Sequence, residues 1–219
     1  MHSLLLKDDV QPHFSKPIDF QEYGIADLDR IIELVPRSMW AIGLSVWGRI
    51  VYCGLNDVEI GAIAEYVITK DPRLCEEIGN IVGEEVIKDI YLLQAQVQDS
   101  SLSYTTVAQV LAARVYPNDL HFADVTFTNP YKPIAPEKHR YKYQEYEGLG
   151  LLGTVIDRIE KEAVSESCYY ITLTAAAIDL VPLFSKYGFT VENSPIAQMG
   201  LGNGECIPME KQIGKPYPV

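Results

Sequence analysis

Glycines 148, 150 and 153 fall in the stretch Glu147-Gly148-Leu149-Gly150-Leu151-Leu152-Gly153-Thr154, directly ahead of an apolar pattern with helical spacing. Glycine lets a backbone approach a ligand closely, and the free N–H groups and dipole at a helix start favour an anion. Such a turn suits the phosphates of a cofactor. The plainer alternative is a tight strand-to-helix corner in which glycine only relieves crowding. Asp124 is a second candidate, a lone carboxylate in the apolar run 120–128. It can take a proton or anchor an ammonium group, or simply sit on the wet face of a strand. His121 falls on the opposite face by strand alternation and is the weaker base. Tyr187, in Lys186-Tyr187-Gly188-Phe189, is a candidate proton donor, or else a packed amphipathic ring.

The elements that must position these groups can be read from periodicity. Residues 1–17 read as an extended arm, and 18–23 as a first strand. Leu28, Ile31, Ile32 and Val35 form a helical stripe that Pro36 should end. Residues 41–46 and 49–53, on either side of Trp47-Gly48, read as a β-hairpin. Residues 60–68 are ambiguous between strand and helix. Asp71-Pro72 opens a long helix whose buried face runs from Leu74 through Ile78, Ile81, Val82 and Val86 to Ile90. Residues 106–114 read as another helix and 120–128 as a strand. A polar connector, 131–146, carries Tyr131, Tyr141, Tyr143 and Tyr146, which either wall a pocket or pack the loop down. After the glycine turn come a helix with Leu152, Val155, Ile156, Ile159 and Ala163 on one face, a strand at 169–174 and a helix at 177–187. Strands near 191–198 and 206–211 finish the chain. Mixed strands and helices of this order give an α/β or α+β class.

Composition narrows the function. The chain has 219 residues, a net charge of −12 and 47% hydrophobic residues. That acidity disfavours nucleic acid and favours a cationic amine-bearing small molecule or a Lys-rich peptide. Cys53, Cys75, Cys168 and Cys206 have no paired spacing and read as reduced, mostly buried thiols, with no metal site. The acids Glu76, Glu77, Glu84 and Glu85 read as a solvated helix face. No apolar run approaches ~18 residues, so no membrane span is expected, and the cytoplasm is the expected location. A homo-oligomer is left open.

The C-terminal half resembles the GNAT superfamily of acetyl-CoA-dependent N-acetyltransferases. Residues 147–152 align with its phosphate loop, and Leu183-Phe184-Ser185-Lys186-Tyr187-Gly188-Phe189 with its later helix signature. Pro208-Met209-Glu210-Lys211 is similar to its final strand. The resemblance implies a mixed, mostly antiparallel central sheet flanked by helices. Residues 18–219 would form a single domain, with 55–115 as a helical elaboration and 120–212 as the cofactor-binding core. It also implies acetyl-CoA, or a longer acyl-CoA, as co-substrate, bound at Gly148, Leu149, Gly150, Leu151, Leu152, Gly153 and Thr154. Asp124 would be the base and Tyr187 the acid in direct acyl transfer to an amine. Glu147, Leu152 and Phe184 depart from the family pattern, Phe184 standing where many members place a proton-donating tyrosine. Two further readings therefore stay open: a catalytically inactive GNAT-fold binding or assembly protein, and an unrelated α+β protein.

Overall fold

The computed structural model describes residues 1–215 and 217. Its organising feature is one sheet of eight described strands with an apolar core on each face. The strands are β1 (Ile18–Tyr23), β2 (Ile87–Val97), β3 (Thr106–Val115), β4 (Asp119–Pro133), β5 (Tyr146–Gly148), β6 (Tyr170–Ala177), β7 (Thr190–Val191) and β8 (Glu205–Gln212). Their order is β1-β2-β3-β4-β6-β8-β7, with β5 paired separately to β4. Every pairing is antiparallel except β4 with β6. This is the mixed, mostly antiparallel, helix-flanked sheet that the resemblance implies.

One face is covered by α2 (Leu28–Leu34), α3 (Pro36–Cys53), α4 (Ala64–Thr69) and α5 (Leu74–Val82). The other carries α6 (Leu152–Ser165), α7 (Val181–Ser185) and the N-terminal segment containing α1 (Lys7–Val10). The eighth helix, α8 (Pro195–Asn203), packs against β8.

Several expectations are corrected here. Residues 41–53 are not a hairpin but the body of α3. Met39, Ile42, Val46, Trp47 and Ile50 recur at helical spacing and are buried. Pro36 opens that helix instead of merely ending α2, and Gly54, at φ 63°, closes it. The ambiguous 60–68 segment is helical. The long helix from Leu74 stops at Val82, because Gly83 turns left-handed at φ 75°. Val86 and Ile90 are still buried, but Ile90 lies on β2.

Residues 106–114 form β3, so 55–115 is not wholly a helical elaboration. Alanine favours helix in isolation, but β3 is a central strand buried on both faces, where small apolar residues fit closely. Residues 1–17 are not simply an extended arm. Leu4, Leu5, Val10 and Phe14 sink into the core, and Arg158 Nη1 pairs with Asp9 Oδ2 at 2.5 Å. The expected 177–187 helix is the short α7 preceded by a single tight turn. The strand near 191–198 ends at Val191. Ser194 Oγ then accepts from the Ala197 N–H at 3.2 Å and, with Pro195, opens α8. Cys75 and Cys168 are buried, whereas Cys53 and Cys206 are exposed.

Candidate functional site

The site begins where two neighbouring strands part. β4 and β6 run parallel, and their register covers only Leu120–Phe122 against Ile171–Leu173. On the other edge of β4, Phe122 pairs with Ala112 and Asp124 with Leu111, so Ala123 is bulged out. A bulge adds a residue and reverses the alternation beyond it. His121 and Asp124 therefore share the face toward α3, which corrects the expectation that they lie on opposite faces. Val125 and Phe127 point to the other face and pack on the α6 core.

On that second face lies a cleft of about 540 Å³. Its walls are residues 125–128 of β4, the glycine turn 148–152, and Leu180, Leu183, Phe184 and Tyr187. A depression of about 790 Å³ between α5 and β2, rimmed by Glu76, Glu84 and Glu85, is larger but shares no residue with this cleft or with the glycine turn. Gly150 turns the chain at φ 75°, a conformation other residues rarely take. A Cβ on Gly148 would lie 3.6 Å from the Phe127 carbonyl oxygen, an ordinary contact, so the turn's need for glycine rests on Gly150.

The turn delivers the chain to α6 with Leu151 at the cap position, where no side chain accepts from the helix. The N–H groups of Leu152, Gly153 and Thr154 thus have no acceptor within the helix, and together with the dipole they form a positive end. Gly148, Leu149, Gly150, Leu151 and Leu152 reach the cleft wall, while Gly153 and Thr154 stand one step inside the first turn. The side chains of Leu149 and Leu151 turn into the core. Glu147 is exposed, bonded to Lys132 at 3.0 Å, and is not part of the wall. Its charge is met by a lysine outside the cleft.

Tyr187 lines the cleft from the turn after α7. Its hydroxyl lies 3.4 Å from the position of a Cβ built on Gly153, close over the head of α6. Phe184 also reaches the wall but is mostly buried, edge-on to Phe189 at 6.2 Å between centroids. Of the tyrosine cluster, Tyr141, Tyr143 and Tyr146 line the cleft. Tyr131 instead packs on Phe14 and donates to Asp99 Oδ2 at 2.8 Å. The connector is fastened across to the β6 and β8 side. The Lys142 N–H donates to Asp179 Oδ2 at 2.7 Å, Tyr143 Oη donates to Glu205 Oε1 at 3.0 Å, and the Lys142 ammonium pairs with Glu205.

Asp124 does not line the cleft. It is half-buried on the α3 side, where Gln109 Nε2 donates to its Oδ2 at 2.8 Å and Ser38 Oγ does so at 3.4 Å. Burial pushes its carboxyl above the usual range, and these hydrogen bonds pull the other way. Asp124 and Tyr187 therefore stand on opposite faces of the sheet.

Deeper along α3, Ser45 lies 3.5 Å and Thr172 Oγ1 2.9 Å from His121 Nδ1. Burial pushes His121 down to about 4, assisted by the Arg49 charge. A neutral, enclosed imidazole of this kind supports the sheet. Arg49 itself is held by Asp119, Glu192, Glu210 and the Tyr217 hydroxyl. Sequence reading missed this cluster and also Gln109, Gln94 and Ser38, because their contacts join segments remote in the chain. Among the described residues no group of three metal-ligating side chains converges, and no helix is long and apolar enough to cross a membrane.

No family model matches the chain, and no curated protein sequence is detectably similar to it. Among solved structures, it is similar to a GNAT-family acetyltransferase from Staphylococcus aureus at 10% identity and a TM-score of 0.37, over 90% of this chain and 99% of that one. An acetyltransferase from Streptococcus agalactiae is similar at 12% identity and a TM-score of 0.36, over 91% of this chain and 99% of that one. Nourseothricin acetyltransferase is similar at 12% identity and a TM-score of 0.35, over 57% of this chain; the match spans 65% of that protein's length.

Proposed function

We propose that the chain is an acyltransferase that moves an acetyl or other acyl group from acyl-CoA to an amine. The observation that carries this reading is the uncapped head of α6, behind Gly148 and Gly150, on the wall of a cleft lined by the part of β4 that lies beyond its pairing with β6. An anion fits a helix start with no competing side-chain cap. On this reading the amides of residues 152–154 hold the diphosphate, and residues 125–128 of β4 flank the pantetheine arm. The amine comes from the α3 face. Asp124 takes a proton from its ammonium group, the freed lone pair attacks the thioester carbonyl, and the carbon–sulfur bond breaks. Tyr187 gives its hydroxyl proton to the departing thiolate, and the second proton that the nitrogen sheds as the amide forms restores the Tyr187 hydroxyl through solvent. A half-buried carboxylate with no cationic neighbour, in a chain of net charge −12, favours a cationic acceptor such as a small polyamine or a Lys-rich peptide. Free thiols fit a reducing, cytoplasmic setting.

Calorimetric titration with acetyl-CoA tests the first half of this reading. Turnover across a panel of amines, lost in Asp124→Ala, tests the second. One observation favours a binding module without turnover: Phe184, which the resemblance sets where many family members carry a proton-donating tyrosine, reaches the cleft wall with no hydroxyl. Binding of acetyl-CoA with no amine acetylated would establish that second reading. No binding at millimolar acetyl-CoA would defeat both.

A further inference from the structure

The helices cover the α3 side of the sheet only in part. On β2 and β3 that face presents Ile90, Leu92, Leu111, Ala113 and Val115 to the helices, then changes to Gln94 and Gln109, which are cross-strand partners. Half-buried amides need partners where water is thinned out. Gln94 Nε2 donates to Gln109 Oε1 at 3.1 Å, and Gln109 Nε2 donates to Asp124 Oδ2 at 2.8 Å. An ionised carboxylate only accepts, so Gln109 must turn its NH2 toward Asp124. Its carbonyl then faces Gln94, which must answer with an NH2 of its own. Each amide orientation follows from the previous one. Ser38 adds its longer bond to the same Oδ2. Among the described residues no side chain donates to Oδ1.

We propose that Gln109, locked by Gln94, is a positioning residue that holds Asp124 by Oδ2 and presents Oδ1 to the ammonium group of the acceptor. This rests on the acyl-transfer reading. In the step concerned an ammonium N–H bond breaks, the proton passes to Oδ1, and the amine keeps the electron pair with which it attacks. The relay works by favouring the charged carboxylate. Burial raises Asp124, while Gln109, then Ser38, then the Val125 amide lower it. All three are neutral, and no charged group on α3, β3 or β4 contributes. The Gln109 amide is therefore the largest influence set against burial at this carboxylate.

Two measurements on Gln109→Met and Gln94→Met test this. The first is a carbon-13 NMR titration of labelled aspartate carboxyls, with Asp124 assigned by the loss of its signal in Asp124→Asn. The second is the pH dependence of kcat/KM with acetyl-CoA and a linear diamine. In Gln109→Met, both the Asp124 midpoint and the acid limb should rise by about one pH unit. In Gln94→Met both should rise by less, with KM for acetyl-CoA unchanged in either variant. Gln109→Asn, too short to reach Asp124, replaces the Met variant if that one does not fold. A midpoint unmoved in the Gln109 variant, or moved there but not in Gln94→Met, overturns the relay. A midpoint that moves in both while the wild-type protein acetylates no amine upholds the relay and overturns its catalytic use together with the acyl-transfer reading.

Discussion

Arg49 Nε meets Asp119 Oδ2 at 3.0 Å, with the two side chains 7% and 0% exposed. The same guanidinium reaches Glu192 at 2.8 Å and Glu210 at 2.9 Å, so one cation serves three carboxylates. Burial works against its charge, but those partners outweigh burial and hold Arg49 above its ordinary value. Arg49→Met leaves buried negative charge without a partner. Urea unfolding should show a loss of about 3–5 kcal/mol, as for other broken buried pairs. Arg49→Lys should recover only part of it, because one ammonium cannot reproduce the planar fork.

His121 gives the stability a definite pH slope. Its folded value, about 4, lies below the ordinary 6.5. Between those values the unfolded chain binds the proton and the folded chain does not, so this contribution is lost as pH falls. Asp119, pushed up to about 6 by burial against the pull of Arg49, has the opposite sign between pH 6 and the ordinary 3.8. A difference measurement isolates the histidine. Relative to wild type, His121→Gln should gain about 1 kcal/mol per pH unit on average on going from pH 6 to pH 4, against a limiting slope of about 1.4. Above pH 7 the difference should be flat. Chemical denaturation at five or six pH values reads this out.

Asp124→Asn keeps the shape of the side chain and removes the base. On the acyl-transfer reading, turnover should fall by about 10²-fold or more, as for loss of a general base. Acetyl-CoA affinity should stay constant, because Asp124 is not in the cleft wall. A matching loss of affinity would place Asp124 in cofactor binding instead.

Gly43 on α3 sits against Leu74, the first residue of α5. A Cβ there would lie 2.8 Å from Leu74 Cγ, and Leu74 is fully buried with no room to retreat. Gly43→Ala should therefore cost about 1–3 kcal/mol through overpacking, although alanine is the better helix former. Thermal and denaturant melts would register it, with ligand binding at the cleft unaffected.

The legible parts of the sequence were those in which local pattern and tertiary role agree. β4, the glycine turn and α6 each carry a signal that is complete within a few residues. α3 was misread because Trp47-Gly48 looks like a turn. Gly48 is helical here, and a Cβ on it would lie 3.2 Å from Ile196, so it makes room for a neighbour instead of turning the chain. β3 was hidden because its alanines favour helix until two flanking strands bury them. The bulge at Ala123 has no signature in composition, yet it decides which face Asp124 takes. Gln94 and Gln109 were invisible because their partnership is a register between strands.

The connector over the cleft is fastened in part at the surface. Its ion pair, Lys142 with Glu205, stands 53% and 44% exposed, whereas the two faces of the sheet close on dry apolar cores. Dissolved ions weaken an exposed pair and leave a dry core untouched. Ionic strength thus reaches the wall that bears Tyr141 and Tyr143 without reaching the architecture beneath it. Brine should loosen the roof of this chamber long before it troubles the foundations.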